Sequence, residues 1–169
     1  LDLRANGGGQ VSSSELLARH FIDKRRHVGY MSHKTGPGHN DFSRQIPIYI
    51  DPLTRGTIWL KPVFVLVNQG VYSAANDFVL RLKGLPHVRI IGVKTGGGAG
   101  LPMSSELPNG WGIRFSASRT YDTAGKDVEF GIEPDIKVEG ELKRTDEKDL
   151  FIDASARLLT VWIKAIKKH

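Results

Sequence analysis

KPVFVLVNQGVYSAANDFVLRLKGLPHVRIIGV, residues 61–93, is the stretch that sets the architecture. Its opening, KPVFVLVN (61–68), is an almost unbroken run of β-branched and aliphatic side chains. Such a run suits a strand buried on both faces. In SAANDFVLRLKGL (73–85) the period changes: Ala74, Phe78, Leu82 and Leu85 recur at helical spacing on one face, and Gly84 and Pro86 stop the helix. VRIIGV (88–93) then reads as a second buried strand. Strand, helix and strand in that order make the unit of a parallel sheet, so the fold class is α/β.

Ser73 stands where the first strand hands over to the helix. A helix N-terminus presents N–H groups without intrahelical acceptors and a partial positive charge. A hydroxyl placed there lies beside donors able to hold a developing oxyanion. Serine is also a favoured N-cap. The local sequence therefore leaves a catalytic and a capping role both open.

Working outward, LDLR (1–4) reads as the end of a strand running into Gly7-Gly8-Gly9. Ser12 and Glu15 match a capping box, which predicts a helix through about Arg25 burying Leu16, Leu17 and Phe21. A short strand follows near His27–Met31, and HKTGPGHNDFS (33–43) is a polar surface loop. IPIYI (46–50) is extended. Downstream, TGGGAG (95–100) is a glycine loop, and Asn109-Gly110 is a hairpin turn between SSEL and WGIRFSA. PDIKV (134–138) is a further strand. From about Glu147 to Lys167 an amphipathic helix carries Leu150, Phe151, Ala154, Leu158, Val161, Trp162 and Ala165 on one stripe.

The 169 residues fit one domain, expected to be excised from a longer chain because Leu1 falls within a strand. With 40% hydrophobic and 25% charged residues, the chain has the balance of a soluble globular protein. It holds no cysteine, which excludes disulfides and thiolate metal sites. The net charge of +6 arises from scattered residues, apart from Lys24-Arg25-Arg26 and Lys167-Lys168, and no aromatic-basic motif accompanies it. No nucleic-acid partner is expected. No apolar run nears the roughly 20 residues that span a bilayer. No His or carboxylate pair has metal-ligand spacing, so neither a metal nor another cofactor is expected.

Four segments gain meaning from their order: LDLRANGGG (1–9), VLVNQGVYSAANDF (65–78), VKTGGGAG (93–100) and VEFGIEPDIKV (128–138). Together they resemble the tail-specific, or C-terminal processing, serine peptidases, above all the branch holding the tricorn core and the retinoid-binding repeat proteins. The resemblance runs from Leu1 to about Val138. It implies a ClpP/crotonase-like core of repeated ββα units. It also implies peptide-bond hydrolysis through an acyl-enzyme, polypeptide substrates cut near their C-termini, and an exported bacterial setting.

The family's nucleophile matches Ser73, in Ser73-Ala74-Ala75-Asn76, where Asn76 replaces the usual Glu. The resemblance places the oxyanion hole in the amides of Ala74 and of Gly7 or Gly8. One branch uses a lysine three residues after a threonine; here that position, counted from Thr95, is Gly98, and Lys94 precedes the threonine. The tricorn-like branch takes a histidine from a strand upstream of the LDLR segment, so the base is expected outside these residues. That branch also uses a glutamate near the G-[I/V]-x-P-D motif, and Glu129 is the candidate, with an exposed strand-end carboxylate as its other reading. Of His20, His27, His33, His39, His87 and His169, His39 is the candidate for a base within the chain.

Two other functions fit the same fold. A binding module could hold an apolar ligand in a cleft near Trp59, Trp111 and Phe115. An acyl-CoA enzyme would use paired backbone amides and need no serine.

Overall fold

The computed structural model describes residues 1–138 and 150–166. In chain order the elements are α1 (Val11–Ala18), β1 (Arg26–His33), β2 (Ile46–Ile50), β3 (Val63–Val67), α2 (Ala74–Leu82), β4 (Val88–Gly92), β5 (Pro102–Glu106), β6 (Gly112–Ser116), β7 (Ser118–Tyr121), β8 (Ile136–Lys137) and α3 (Leu150–Ile166). β3 and β4 pair in parallel across the α2 crossover, and β8 joins β4 in parallel. The first residues add to the other edge: Leu3 donates its N–H to the Leu66 carbonyl and Leu66 donates to Leu1. The chain is thus mixed α/β, as the 61–93 stretch requires.

The unbroken apolar run of β3 has a direct cause. Val65 and Val67 point into a core shared with Phe78, Val79 and Leu82 of α2, Ile90 of β4 and Val28 of β1. Phe64 and Leu66 alternate to the opposite face, where Ile91, Ile136, Leu159 and Trp162 cover them. The Phe64 and Trp162 rings stack at 5.5 Å, and the Arg89 guanidinium lies 4.8 Å from the Trp162 centroid. Each such aliphatic or aromatic side chain, fully buried, contributes about 1.5–3 kcal/mol. Both faces are occupied, so no alternation survives in the sequence.

A second, antiparallel sheet has the order β2-β1-β7. A β-bulge between His27 and Gly29 bends β1 against β2. β5 and β6 form a separate two-stranded ribbon around Asn109-Gly110, with every strand residue exposed. β7 was not foreseen. Its inward residues, Ser118 and Thr120, are buried but polar, so SRTY shows no hydrophobic alternation.

Two sequence expectations are corrected at the helices. α1 starts at Val11 with Gln10 at its cap and no capping side chain, so Ser12 and Glu15 form no capping box. Its buried residues are Ser14 and Ala18, while Leu16 and Leu17 stay exposed. The contact with α2 is made through small and polar groups: Ser14 Oγ bonds to Asp77, whose carboxylate also holds Arg81 at 2.6 Å. A helix that approaches this way has no room for leucines at the interface. In α3 the inward face carries Ser155, Leu159 and Trp162, whereas Leu158 and Val161 of the predicted stripe are exposed. Trp162 is common to both sets, and Leu150, Phe151, Ala154 and Ala165 of the stripe lie outside the residues whose side chains are described. Glu147, Lys167, Lys168 and His169 lie outside the described residues. No described helix is long and apolar enough to cross a membrane.

Candidate active site

After β3 the chain makes a tight loop, Asn68 to Tyr72, before α2 begins. Asn68 staples this loop to the N-terminal turn: its Oδ1 accepts the N–H of Ala5 at 2.9 Å and of Gly70 at 3.0 Å. Tyr72 donates its N–H to the Asn6 carbonyl, and Ser73 donates to the Gly97 carbonyl at 2.8 Å. The peptide groups leading into Ser73 are therefore held from the glycine turn on one side and the glycine loop on the other.

Ser73 itself has φ 55° and ψ −126°. An L-residue is strained there, at a cost of order 1–3 kcal/mol, and such strain persists only where surroundings impose it. Ser73 is the N-cap residue of α2, and its carbonyl accepts the N–H of Asp77, but its hydroxyl makes no capping bond. The capping role left open by the sequence is not the one the hydroxyl plays. A serine on a strained strand-to-helix turn, its Oγ free of the helix, has the geometry of a nucleophile elbow.

Gly8 packs directly on this elbow. A Cβ there would lie 2.5 Å from the Tyr72 carbonyl oxygen and 2.7 Å from the Ala74 nitrogen, and φ is +95°. Only glycine allows this approach. Ala74 opens the helix, so its N–H has no intrahelical acceptor. The Gly8 N–H donates to Asn6 Oδ1 at 2.9 Å.

A cavity of about 510 Å³ opens beside the elbow, lined by Ser73 and Tyr72, by Gly7 and Gly9, by Glu129, and by Arg114 and Phe115 of β6. Gly8 and Ala74 line a smaller neighbouring cavity of about 260 Å³. Glu129 is held at three points: its carbonyl accepts the Gly98 N–H at 2.8 Å, its Oε2 accepts the Gly100 N–H at 3.1 Å, and its N–H donates to Asp127 Oδ1 at 2.8 Å.

Residues 1–138 match the profile of Peptidase family S41. The chain belongs to that family. The S41 chain is 29% identical over 163 residues to the chloroplastic C-terminal processing peptidase of Tetradesmus obliquus, covering 94% of this chain and 33% of that protein. It is 28% identical over 140 residues to the carboxy-terminal processing protease CtpA of Bacillus subtilis strain 168, covering 82% and 28%. The crystal structure of a candidate peptidase from Parabacteroides merdae ATCC 43184 superposes with a TM-score of 0.83 at 46% identity, covering 94% of this chain and 50% of that one. The S41 chain spans about a third of the length of the curated relatives it matches.

Among the residues singled out from the sequence, Ser73, Gly7 and Glu129 share one cavity wall. Lys94 is exposed and is not among the lining residues; its charge acts instead on Glu133, helping Lys137 hold that carboxyl below the usual range. At Gly98, the position matched to a lysine by the resemblance, a Cβ would fall 2.2 Å from the Tyr72 ring. No histidine among the described residues lines the cavity. His39 sits in the exposed loop after β1, where its carbonyl accepts from Lys34. His27 packs against the rings of Tyr30 and Tyr49. His87 is half-buried with Nε2 unpartnered among the described residues, and desolvation lowers its pKa, offset in part by the nearby backbone of Phe21 and the Asp23 carboxylate.

Asn76 does not reach the cavity. It is fully buried, accepts from Thr95 Oγ1 at 2.6 Å, and Thr95 Oγ1 in turn accepts the Ile132 N–H at 2.7 Å. This buried bridge ties α2 to the segment that carries Glu129. The aromatic trio of the binding-module reading is dispersed: Phe115 lines the Ser73 cavity, and Trp59 lines a separate apolar cavity of about 570 Å³ beside β3. Trp111 is exposed at the hairpin and lines neither of these two cavities. Sequence reasoning missed Asn68 and Arg114. An Asn two residues before a glycine is a signal for the first. Nothing local signals the second.

Proposed function

We propose that this chain is the nucleophile-bearing core of a serine peptidase, on a ClpP/crotonase-like fold. The observation that carries the reading is the strained backbone of Ser73, with its hydroxyl uncapped and on the wall of a cavity shared with Gly7 and Glu129. Serine is a weak nucleophile until a base takes its proton. In the proposed reaction Ser73 Oγ loses its proton to that base and attacks the carbonyl carbon of a peptide bond. The N–H of Ala74 and the N–H of Gly7 or Gly8 hold the oxyanion. The intermediate collapses, the amine leaves with the proton, and water then hydrolyses the acyl-enzyme. Gly8 serves only after its N–H turns from Asn6 Oδ1 to the oxyanion. Glu129 positions the reacting groups through its place beside Ser73.

The base is a histidine contributed from outside these 169 residues, which form one core unit of a longer protein. In support of that, the cavity wall holds no described histidine or lysine, and the Gly98 position is closed by Tyr72. The substrates are polypeptides cut near their C-termini, as in the names of the related processing peptidases, and the setting is an exported bacterial one. An active-site-directed fluorophosphonate tests the reading. It should label the wild-type protein on Ser73 and leave Ser73→Ala unlabelled. Equal labelling of the two proteins, or none of the wild type when the longer protein is used, would overturn it.

A further inference from the structure

We infer that Arg114 binds a carboxylate of the substrate, so that the cavity beside Ser73 selects peptides with a negative charge close to the cut bond. The inference rests on the peptidase reading and names its substrate class. Arg114 projects from β6, where it pairs with Ser104 of β5, and Pro102 pairs with Ser116 on the same ribbon. Side chains alternate along a strand, so Arg114 and Ser116 share a face, and both line the Ser73 cavity together with Pro102. The guanidinium meets no ion-pair or hydrogen-bond partner among the described residues.

Arginines at the core and on the first sheet are engaged, Arg81 with Asp77, Arg89 over Trp162, Arg119 over Phe42 and Arg26 on the Lys83 carbonyl, whereas Arg114 differs from the other uncommitted arginines in lining the Ser73 cavity. Among the described residues, Arg114 alone brings a positive charge to this cavity wall. The other charged group on the wall, Glu129, is already held by the Gly100 N–H. A guanidinium that faces a cavity with its donors unused suits a planar carboxylate, which it can grip with two parallel hydrogen bonds. Tyr72, Phe115 and Pro102 supply apolar walls for the neighbouring side chains. The carboxylate is either the substrate's free C-terminus or an Asp or Glu side chain near it.

Binding is measured with the Ser73→Ala form of the longer protein, so that peptide is not consumed and the result does not depend on turnover. Fluorescent peptides of one sequence are compared as free acid, as C-terminal amide, and with Glu in place of Gln at successive positions. Removing the matching carboxylate should weaken binding about tenfold. Arg114→Gln should abolish that difference, and Arg114→Lys should keep part of it. A preference lost with the amide identifies the C-terminus, and one that follows Glu identifies a side chain; both support the inference. A preference that persists in Arg114→Gln, or no preference in any pair, overturns it. Unchanged circular dichroism and melting temperature for the Arg114 variants exclude misfolding, and fluorophosphonate labelling of Ser73 reports separately on the peptidase reading.

Discussion

The elbow at Asn68–Ala74 and the hairpin at 102–116 line the same cavity and are built in opposite ways. The elbow is crowded: Asn68, Asn6 and Gly97 each bond within or to it, and an added carbon at Gly8 or Gly97 would run into backbone. The hairpin is open on both strands, and a Cβ at its Gly112 would meet nothing within 4 Å. Chemistry needs atoms held to fractions of an ångström, whereas choosing a substrate needs a surface that can change without unfolding the rest. The comparison therefore predicts steep effects on one wall and shallow ones on the other.

The largest effect belongs to the elbow. In the longer protein that supplies the base, Ser73→Ala should cut turnover of a peptide substrate on the order of a million-fold, leaving the fold intact. Activity loss accompanied by loss of structure would show that the residue is mainly architectural. Gly8→Ala comes next. Its methyl collides with the Tyr72 carbonyl and the Ala74 nitrogen, so the two proposed donors shift apart. Turnover should fall about 10²–10³-fold, the usual consequence of losing one oxyanion donor. A variant as active as wild type would place the oxyanion elsewhere.

Smaller effects sharpen the contrast in stability. Ser73→Gly relieves the positive φ, so it should melt above Ser73→Ala by about 1 kcal/mol in unfolding free energy, after allowing for glycine's own entropy. His87 gives a pH signature away from the cavity. Its folded pKa lies below the ordinary 6.5 because burial disfavours the charged ring. The unfolded chain thus binds the proton more readily, and stability should fall as pH drops through 6.5 and level off below the folded pKa. His87→Gln should flatten that slope in urea titrations without affecting fluorophosphonate labelling. Least of all, Gly112→Ala on the hairpin should change stability by no more than about 0.5 kcal/mol.

What could be read from the sequence follows the same division. β3, α2 and β4 were legible because one apolar run, one helical stripe and one further run each admit a single arrangement. That Ser73, Gly7 and Glu129 come together was signalled by ordered segments that lie far apart in the chain and meet in one cavity. Other features were hidden for physical reasons. β7 buries Ser118 and Thr120 on its inner face, so its pattern is polar. α1 docks through Ser14 and Asp77, so a hydrophobic stripe was the wrong guide. Asn76 works through a buried bridge to Thr95, which no local pattern announces. Arg114 lies in a hairpin that the Asn-Gly pair identifies, yet where a hairpin leans is decided by tertiary packing.

The contact between Gly98 and Tyr72 also couples two positions beside Ser73. A side chain at position 98 strikes the Tyr72 ring and takes a φ of +70° that suits glycine. The ring is the exposed end of its side chain and can swing aside, but the backbone strain stays. Substitutions at 98 and 72 are therefore expected to be non-additive, each changing what the other costs.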